Sequence, residues 1–211
     1  MHGMKDEPRR SAAGAAAPHP FEAPPAASAP GPIRRLLLFC GSRAGADPRH
    51  AATARAVGAL LARHGVTLVY GGGALGLMGE AARAARAAGG RVEGVIPAFL
   101  RDLEVALDGL DRLEVVDSLH TRKARMFENA DAVLALPGGM GTLDELVELL
   151  SWRSLRLHDR PILLLGDGGF WEPFLALLAH LEACGFAGPA VRAHVCHLPS
   201  VAALEALLPP V

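Results

Sequence analysis

DAVLALPGGMGTLDELVELL, residues 131–150, holds the repeating unit of the fold in one stretch. DAVLAL (131–136) is apolar and strand-length, and PGGMGT (137–142) is a loop with three glycines in four positions. Leu143, Leu146, Val147 and Leu150 then recur at helical spacing. Strand, glycine loop and helix in that order is the unit of a layered α/β sheet. The same order repeats on both sides of the stretch. IRRLLLFC (33–40), VTLVY (66–70), RVEGVI (91–96), LEVVD (113–117), PILLLG (161–166) and HVCHL (194–198) read as further buried parallel strands. Between them lie segments of helical length such as Arg49 to His64 and Leu75 to Ala88, the second closed by Gly89 and Gly90. The pattern predicts one doubly wound α/β domain over residues 33–211, a mainly parallel sheet of about seven strands flanked by helices.

Residues 1–32 do not share this pattern. From Ser11 to Pro32 nearly every position is Ala, Pro, Gly or Ser, which predicts a disordered tail. Asp6, Glu7 and Glu22 and the missing leucine-like core argue against a secretory signal. A net charge of −1 over 211 residues gives no basic field for nucleic acid or an anionic membrane. No apolar run nears the roughly 20 residues of a bilayer span. The three cysteines, Cys40, Cys184 and Cys196, are widely spaced and form no C-x-x-C pair, which fits a reducing cytoplasm and points to neither a disulfide framework nor zinc. A small molecule is the expected partner.

In a doubly wound sheet ligands sit beyond the carboxyl ends of the strands. The residues there are GSRAG (41–45), GGGALGLMG (71–79), PGGMGT (137–142) and GDGG (166–169), four glycine-rich loops on one edge. Together they predict a nucleotide or phosphate site. The PGGMGT loop runs into a helix, so its backbone N–H groups lie at the positive end of that helix with no Cβ atoms in the way. It lacks the Gly-Lys-Ser/Thr ending of a phosphoryl-transfer loop, so the anion is held and not transferred.

Glu145 has two readings. Thr142-x-x-Glu145 matches a capping box, in which the carboxylate only satisfies a backbone donor. Side chains also tilt toward a helix N-terminus, which leans Glu145 back over the anion loop. SLHTRKARMFENA (118–130) predicts a second helix, capped by Asp117 or Ser118, with an apolar stripe through Leu119, Met126 and Ala130. Arg122 and Lys123 fall on that stripe, so each either snorkels out to solvent or requires an anionic partner, a ligand phosphate or a carboxylate such as Glu145.

LHTRKARM, PGGMGTLDE and YGGGALGLMG together resemble the signature of the LONELY GUY family, cytokinin riboside 5′-monophosphate phosphoribohydrolases often labelled lysine decarboxylases. The resemblance runs from about Ile33 to the end of the chain. It implies a Rossmann-like fold and hydrolysis of the N-glycosidic bond of a purine nucleoside 5′-monophosphate, without metal or organic cofactor. By motif, Arg122 and Glu145 match the family's catalytic pair. Lys123, Gly138, Gly139, Gly141 and Thr142 match substrate-binding positions, to which the earlier loops add Ser42, Gly72, Gly73 and Met78. The family assembles as homodimers or larger oligomers, and the apolar helix from Leu143 to Trp152 is a candidate interface.

This chain departs from the pattern at Ser154, where the family usually has Gln, at Arg156, where it usually has Gly, and in reading Gly-Ser-Arg in the first loop. Adenine and N6-prenylated adenine both stay open as the base. Three rival classes stand beside the hydrolase. Gly71-x-Gly73-x-x-Gly76 with Glu93 imitates a dinucleotide fingerprint, but Glu93 is placed inside its strand and not at the carboxyl end. A pyridoxal-phosphate decarboxylase needs a Schiff-base lysine, and the chain has only Lys5 and Lys123. A non-enzymatic nucleotide or cofactor carrier would use the glycine loops without needing Glu145. His194, Cys196 and His197 look like metal ligands, but strand alternation splits them between faces. His158 and Asp159 read as turn residues.

Overall fold

A computed structural model describes residues 31–101 and 105–211. Apart from its last two residues, the tail expected over 1–32 lies outside the described residues. Seven strands form one sheet: β1 (Arg35–Phe39), β2 (Thr67–Tyr70), β3 (Val92–Pro97), β4 (Arg112–Val116), β5 (Ala132–Ala135), β6 (Ile162–Leu165) and β7 (Val195–Leu198). Every pairing is parallel, in the order β4-β3-β2-β1-β5-β6-β7. The helices are α1 (Pro48–Arg63), α2 (Gly76–Ala87), α3 (Leu119–Glu128), α4 (Met140–Ser154), α5 (Glu172–Ala183) and α6 (Val201–Glu205). All seven expected strands are present. The chain winds outward from β1 to β4 and then returns to β5 on the other side of β1, so the direction reverses between β1 and β5. That reversal opens a crevice at the carboxyl ends of those two strands.

Alternation along β1 shows how the sheet is covered. Leu36 and Leu38 join a core with Val57, Leu60 and Leu61 of α1 and Ala81 and Ala85 of α2. Leu37 and Phe39 face the other way, into a core with Met126 of α3, Leu146 and Leu149 of α4, and Trp171 and Phe174. Successive strand side chains point to opposite faces, so a central strand buried on both must be apolar throughout. The outer strands depart from the expected burial. Leu113 and Val115 of β4 are exposed, as are Cys196 and His197 of β7, because an edge strand has a neighbour on one side only. His194 lies in a 3₁₀ turn before β7, so the alternation expected of His194 and Cys196 does not apply to it.

Four helices end on the same closing turn, in which two N–H groups reach back to carbonyls of the last turn. Gly65, Gly89 and Gly185 make it after α1, α2 and α5 with φ of 63°, 76° and 75°. After α4 the left-handed position is taken by Arg156, at φ 59°. Its N–H bonds to the carbonyl of Arg153, and that of Leu157 to Trp152.

At the amino edge of the sheet Glu93 is buried in β3. It accepts hydrogen bonds from Arg35 (Nη2 to Oε2, 2.6 Å) and Arg91 (Nε to Oε1, 2.9 Å). The Arg35 hydrogen bond, reinforced by Arg91, holds this carboxyl below the ordinary glutamate range against the opposing effect of burial. Glu93 therefore serves the fold, at the edge opposite the glycine loops.

Candidate active site

The loops after β1 and β5 meet directly across the crevice: Gly41 N–H bonds to the Pro137 carbonyl (3.0 Å). The Gly41 carbonyl in turn accepts from Leu77 N–H in the first turn of α2 (3.0 Å). Three loops are thus joined through main-chain bonds around a cleft of about 710 Å³. Gly41 to Asp47, Met78, Arg122, Pro137 to Thr142 and Glu145 line it.

Three helices start at this cleft: α2 begins after Leu75 with no side-chain cap, and α1 and α4 differ from each other. At α1 the Asp47 carboxylate is the cap, accepting from Arg49 N–H at 2.9 Å, and the side-chain bond from Arg49 lowers its pKa to about 2. At α4 the cap is Gly139, and no side chain caps the helix. An uncapped helix start presents main-chain donors and positive potential, which is what an anion needs.

The helix also begins earlier than Thr142-x-x-Glu145 suggested. Thr142 is the third residue of α4 and not its cap, so Glu145 cannot be the partner in a capping box. Thr142 is buried with its side chain folded against Gly138, where an added Cβ would collide with it. Gly138 is therefore a packing glycine. Beyond their chain neighbours and the backbone of their own helix, Gly139 and Gly141 have no protein atom within 4 Å of where a Cβ would stand. Glycine inside a helix lowers stability by up to about 1 kcal/mol relative to alanine. Packing gives no reason for it at Gly141, whereas access for a ligand does.

One turn further along α4, half-buried Glu145 faces into the same cleft. Burial raises the pKa of Cys40 beneath it well above the ordinary thiol range, and the negative charge of Glu145 adds to that. Cys40 is thus kept as an inert thiol in the cleft lining.

Arg122 reaches the cleft from α3, whose cap is Ser118 (Thr121 N–H to Oγ, 3.1 Å). The guanidinium is buried; its Nε donates to the Val95 carbonyl in β3 (3.1 Å) and its Nη2 to the Gly71 carbonyl after β2 (2.8 Å). Any side chain at Gly71 would occupy the space of that guanidinium. Leu119 of the expected apolar stripe is half exposed, while Met126 and Ala130 are buried.

The expected site residues therefore divide. Arg122, Glu145, Gly138, Gly139, Gly141, Thr142, Met78 and Ser42 come together. Gly72 and Gly73 do not line the cleft: Gly72 packs toward Ile96 and Leu113, and Gly73 bridges to Ala106. Lys123 does not line it either. Its ammonium pairs with Asp144 Oδ2 and Glu148 Oε2, each at 3.0 Å, so those two are its anionic partners and not a ligand or Glu145. The sequence reading missed Cys40, Asp47, His50, Leu77 and Phe170 as lining residues. All but His50, which lies in the first turn of α1, are within or close to the first, second and fourth glycine loops, so the signal was their position after a strand.

An uncapped helix start, an inward carboxylate and a buried arginine in the reversal crevice of a doubly wound sheet define an α/β protein with a candidate anion site. Residues 78–207 match the family model described as "Possible lysine decarboxylase". The chain belongs to that family, the LONELY GUY family of the resemblance above. It is 43% identical over 163 residues to a cytokinin riboside 5′-monophosphate phosphoribohydrolase of Rhodococcoides fascians, covering 77% of this chain and 82% of that protein. It is 39% identical over 182 residues to a probable enzyme of the same name from Oryza sativa subsp. japonica, covering 84% and 74%. Among solved structures, the molybdenum cofactor carrier protein of Chlamydomonas reinhardtii shares the fold, with a TM-score of 0.61 at 24% identity over 82% of this chain and 93% of that one.

Proposed function

We propose that this protein hydrolyses the N-glycosidic bond of a purine nucleoside 5′-monophosphate to free base and ribose 5-phosphate. The observation that carries this is the shared cleft: an uncapped helix start with two unobstructed glycines opens into the same space as Glu145 and Arg122. In this reading the amides of Gly139, Gly141 and Thr142 hold the 5′-phosphate, remote from the reacting carbon. That contact fixes the sugar in register. Glu145 then faces the anomeric carbon. As the carbon–nitrogen bond breaks, positive charge develops on the ribose, and a fixed carboxylate stabilises it while drawing a proton from the attacking water. The water oxygen bonds to the anomeric carbon and keeps its other proton as the new hydroxyl, while the proton taken by Glu145 ends on the departing purine nitrogen. Arg122, anchored to two carbonyls, orients the carboxylate or the leaving base.

The decarboxylase in the family description does not fit these residues. Lys123 is the lysine available outside the tail, and it lies outside the cleft in ion pairs with Asp144 and Glu148. The reading extends to a cytoplasmic homodimer or larger homo-oligomer, supported by the exposed Met140, Val147, Leu155 and Leu157 along and after α4. No described helix is long and apolar enough to cross a membrane.

The test is incubation with AMP and with N6-prenylated adenosine monophosphates, following free base by chromatography, beside Glu145→Gln. The variant is expected to lose roughly a hundredfold or more in kcat. A carrier would bind these nucleotides, release no base, and bind equally well without the carboxylate.

A further inference from the structure

Lys123 has two partners, both on α4. Asp144 and Glu148 stand one turn apart on the same helix, where like charges repel. Between them projects Glu145, turned about 100° away from Asp144 toward the cleft. On the other helix Lys123 is the neighbour of Arg122 in sequence. The ammonium therefore joins the stretch of α3 that carries one proposed catalytic group to the turn of α4 that carries the other. The bridge is fairly sheltered: the lysine side chain is 17% exposed and that of Glu148 23%, although Asp144 is 67% exposed. Burial pulls the lysine pKa down, and the bonds to Glu148 and Asp144 outweigh it, leaving the pKa above the ordinary value. The far ends of the two helices meet separately, through edge-on contact of Phe127 with Trp152 (5.6 Å between rings). The main chain of α3 lies against β3, and side chains tie it to α4.

We infer that Lys123 is a positioning residue, which fixes Arg122 relative to Glu145 by clamping α3 to Asp144 and Glu148 and does not itself touch the nucleotide. This rests on the hydrolase reading above. A misplacement of about 1 Å in such a pair can lower a rate a hundredfold.

The experiment compares the full chain with Lys123→Met and Lys123→Arg, using kcat and KM for the nucleotide cleaved best, AMP binding by calorimetry and circular dichroism for the fold. In Lys123→Met, kcat should fall about ten- to a hundredfold with KM within about threefold of the parent. Lys123→Arg, which can span the same carboxylates, should recover most of kcat. A rise in KM at unchanged kcat would make Lys123 a substrate ligand and overturn the inference, and so would parent-like kcat in Lys123→Met. If Lys123→Met fails to fold, Glu148→Gln replaces it: a lowered kcat at constant KM supports the clamp, and a parent-like kcat overturns it. A parent that binds AMP yet cleaves no nucleotide removes the hydrolase reading itself, and the positioning role with it.

Discussion

Replacing Gly141 by alanine should make the protein more stable and less active at the same time. Gly141 is the second residue of α4, and a Cβ there would meet no protein atom within 4 Å beyond its chain neighbours and its own helix backbone. Such an exchange at an unstrained position stabilises by about 0.4–1 kcal/mol, chiefly by restricting the unfolded chain. For a domain of this size 1 kcal/mol moves Tm by roughly 2–4 °C, so the variant should melt about 1–4 °C higher. The new methyl tilts toward the helix start, over the amides proposed to hold the phosphate. Losing one charge-assisted hydrogen bond there removes about 1.5–3 kcal/mol of binding, roughly a tenfold to more than a hundredfold rise in KM. Scanning calorimetry without nucleotide gives the first number and steady-state hydrolysis the second. A higher Tm with an unchanged KM would place the phosphate elsewhere and refute the argument. A lower Tm would show that the space beside Gly141 is filled.

Two further outcomes test the fold. Arg156→Gly should raise stability by about 0.5–1 kcal/mol, read from the urea midpoint, because a left-handed residue costs about 1–2 kcal/mol and glycine's looser unfolded chain offsets only part of that. Glu93→Gln should destabilise by about 3 kcal/mol, the low end for a broken buried pair because Arg35 and Arg91 keep partial contact with solvent. Since the folded pKa of Glu93 is depressed, its contribution is present above the unfolded value of about 4.3 and is lost as pH falls through the folded one. The parent should therefore lose stability more steeply than the variant in acid, as measured by denaturant titrations from pH 6 down to about pH 3.

All seven strands were legible because central parallel strands carry unbroken apolar runs, and because each is followed by glycine or a helix start. The exposure of β4 and β7 was not, since position in the sheet depends on pairing that no single strand encodes. The candidate cleft was legible through Arg122 and Glu145, whose types and spacing fit a buried cation and an inward carboxylate. Three details were not. A helix that begins on glycine gives no cap signal, so Thr142 took the role that belongs to Gly139. In the Gly71–Gly73 run, sequence cannot tell a glycine that admits a guanidinium from those that turn the chain. Lys123 sits one residue from Arg122, which is about 100° around the helix and enough to send it to a different neighbour.

The attachments of Arg122 have a consequence for how this chain tolerates sequence drift. The Arg122 guanidinium donates to two carbonyl oxygens, at Val95 and Gly71. A carbonyl belongs to every amino acid, so exchanging Val95 for another strand former leaves its half of the support in place. Gly71 has no such latitude, because any heavier residue evicts the guanidinium it holds.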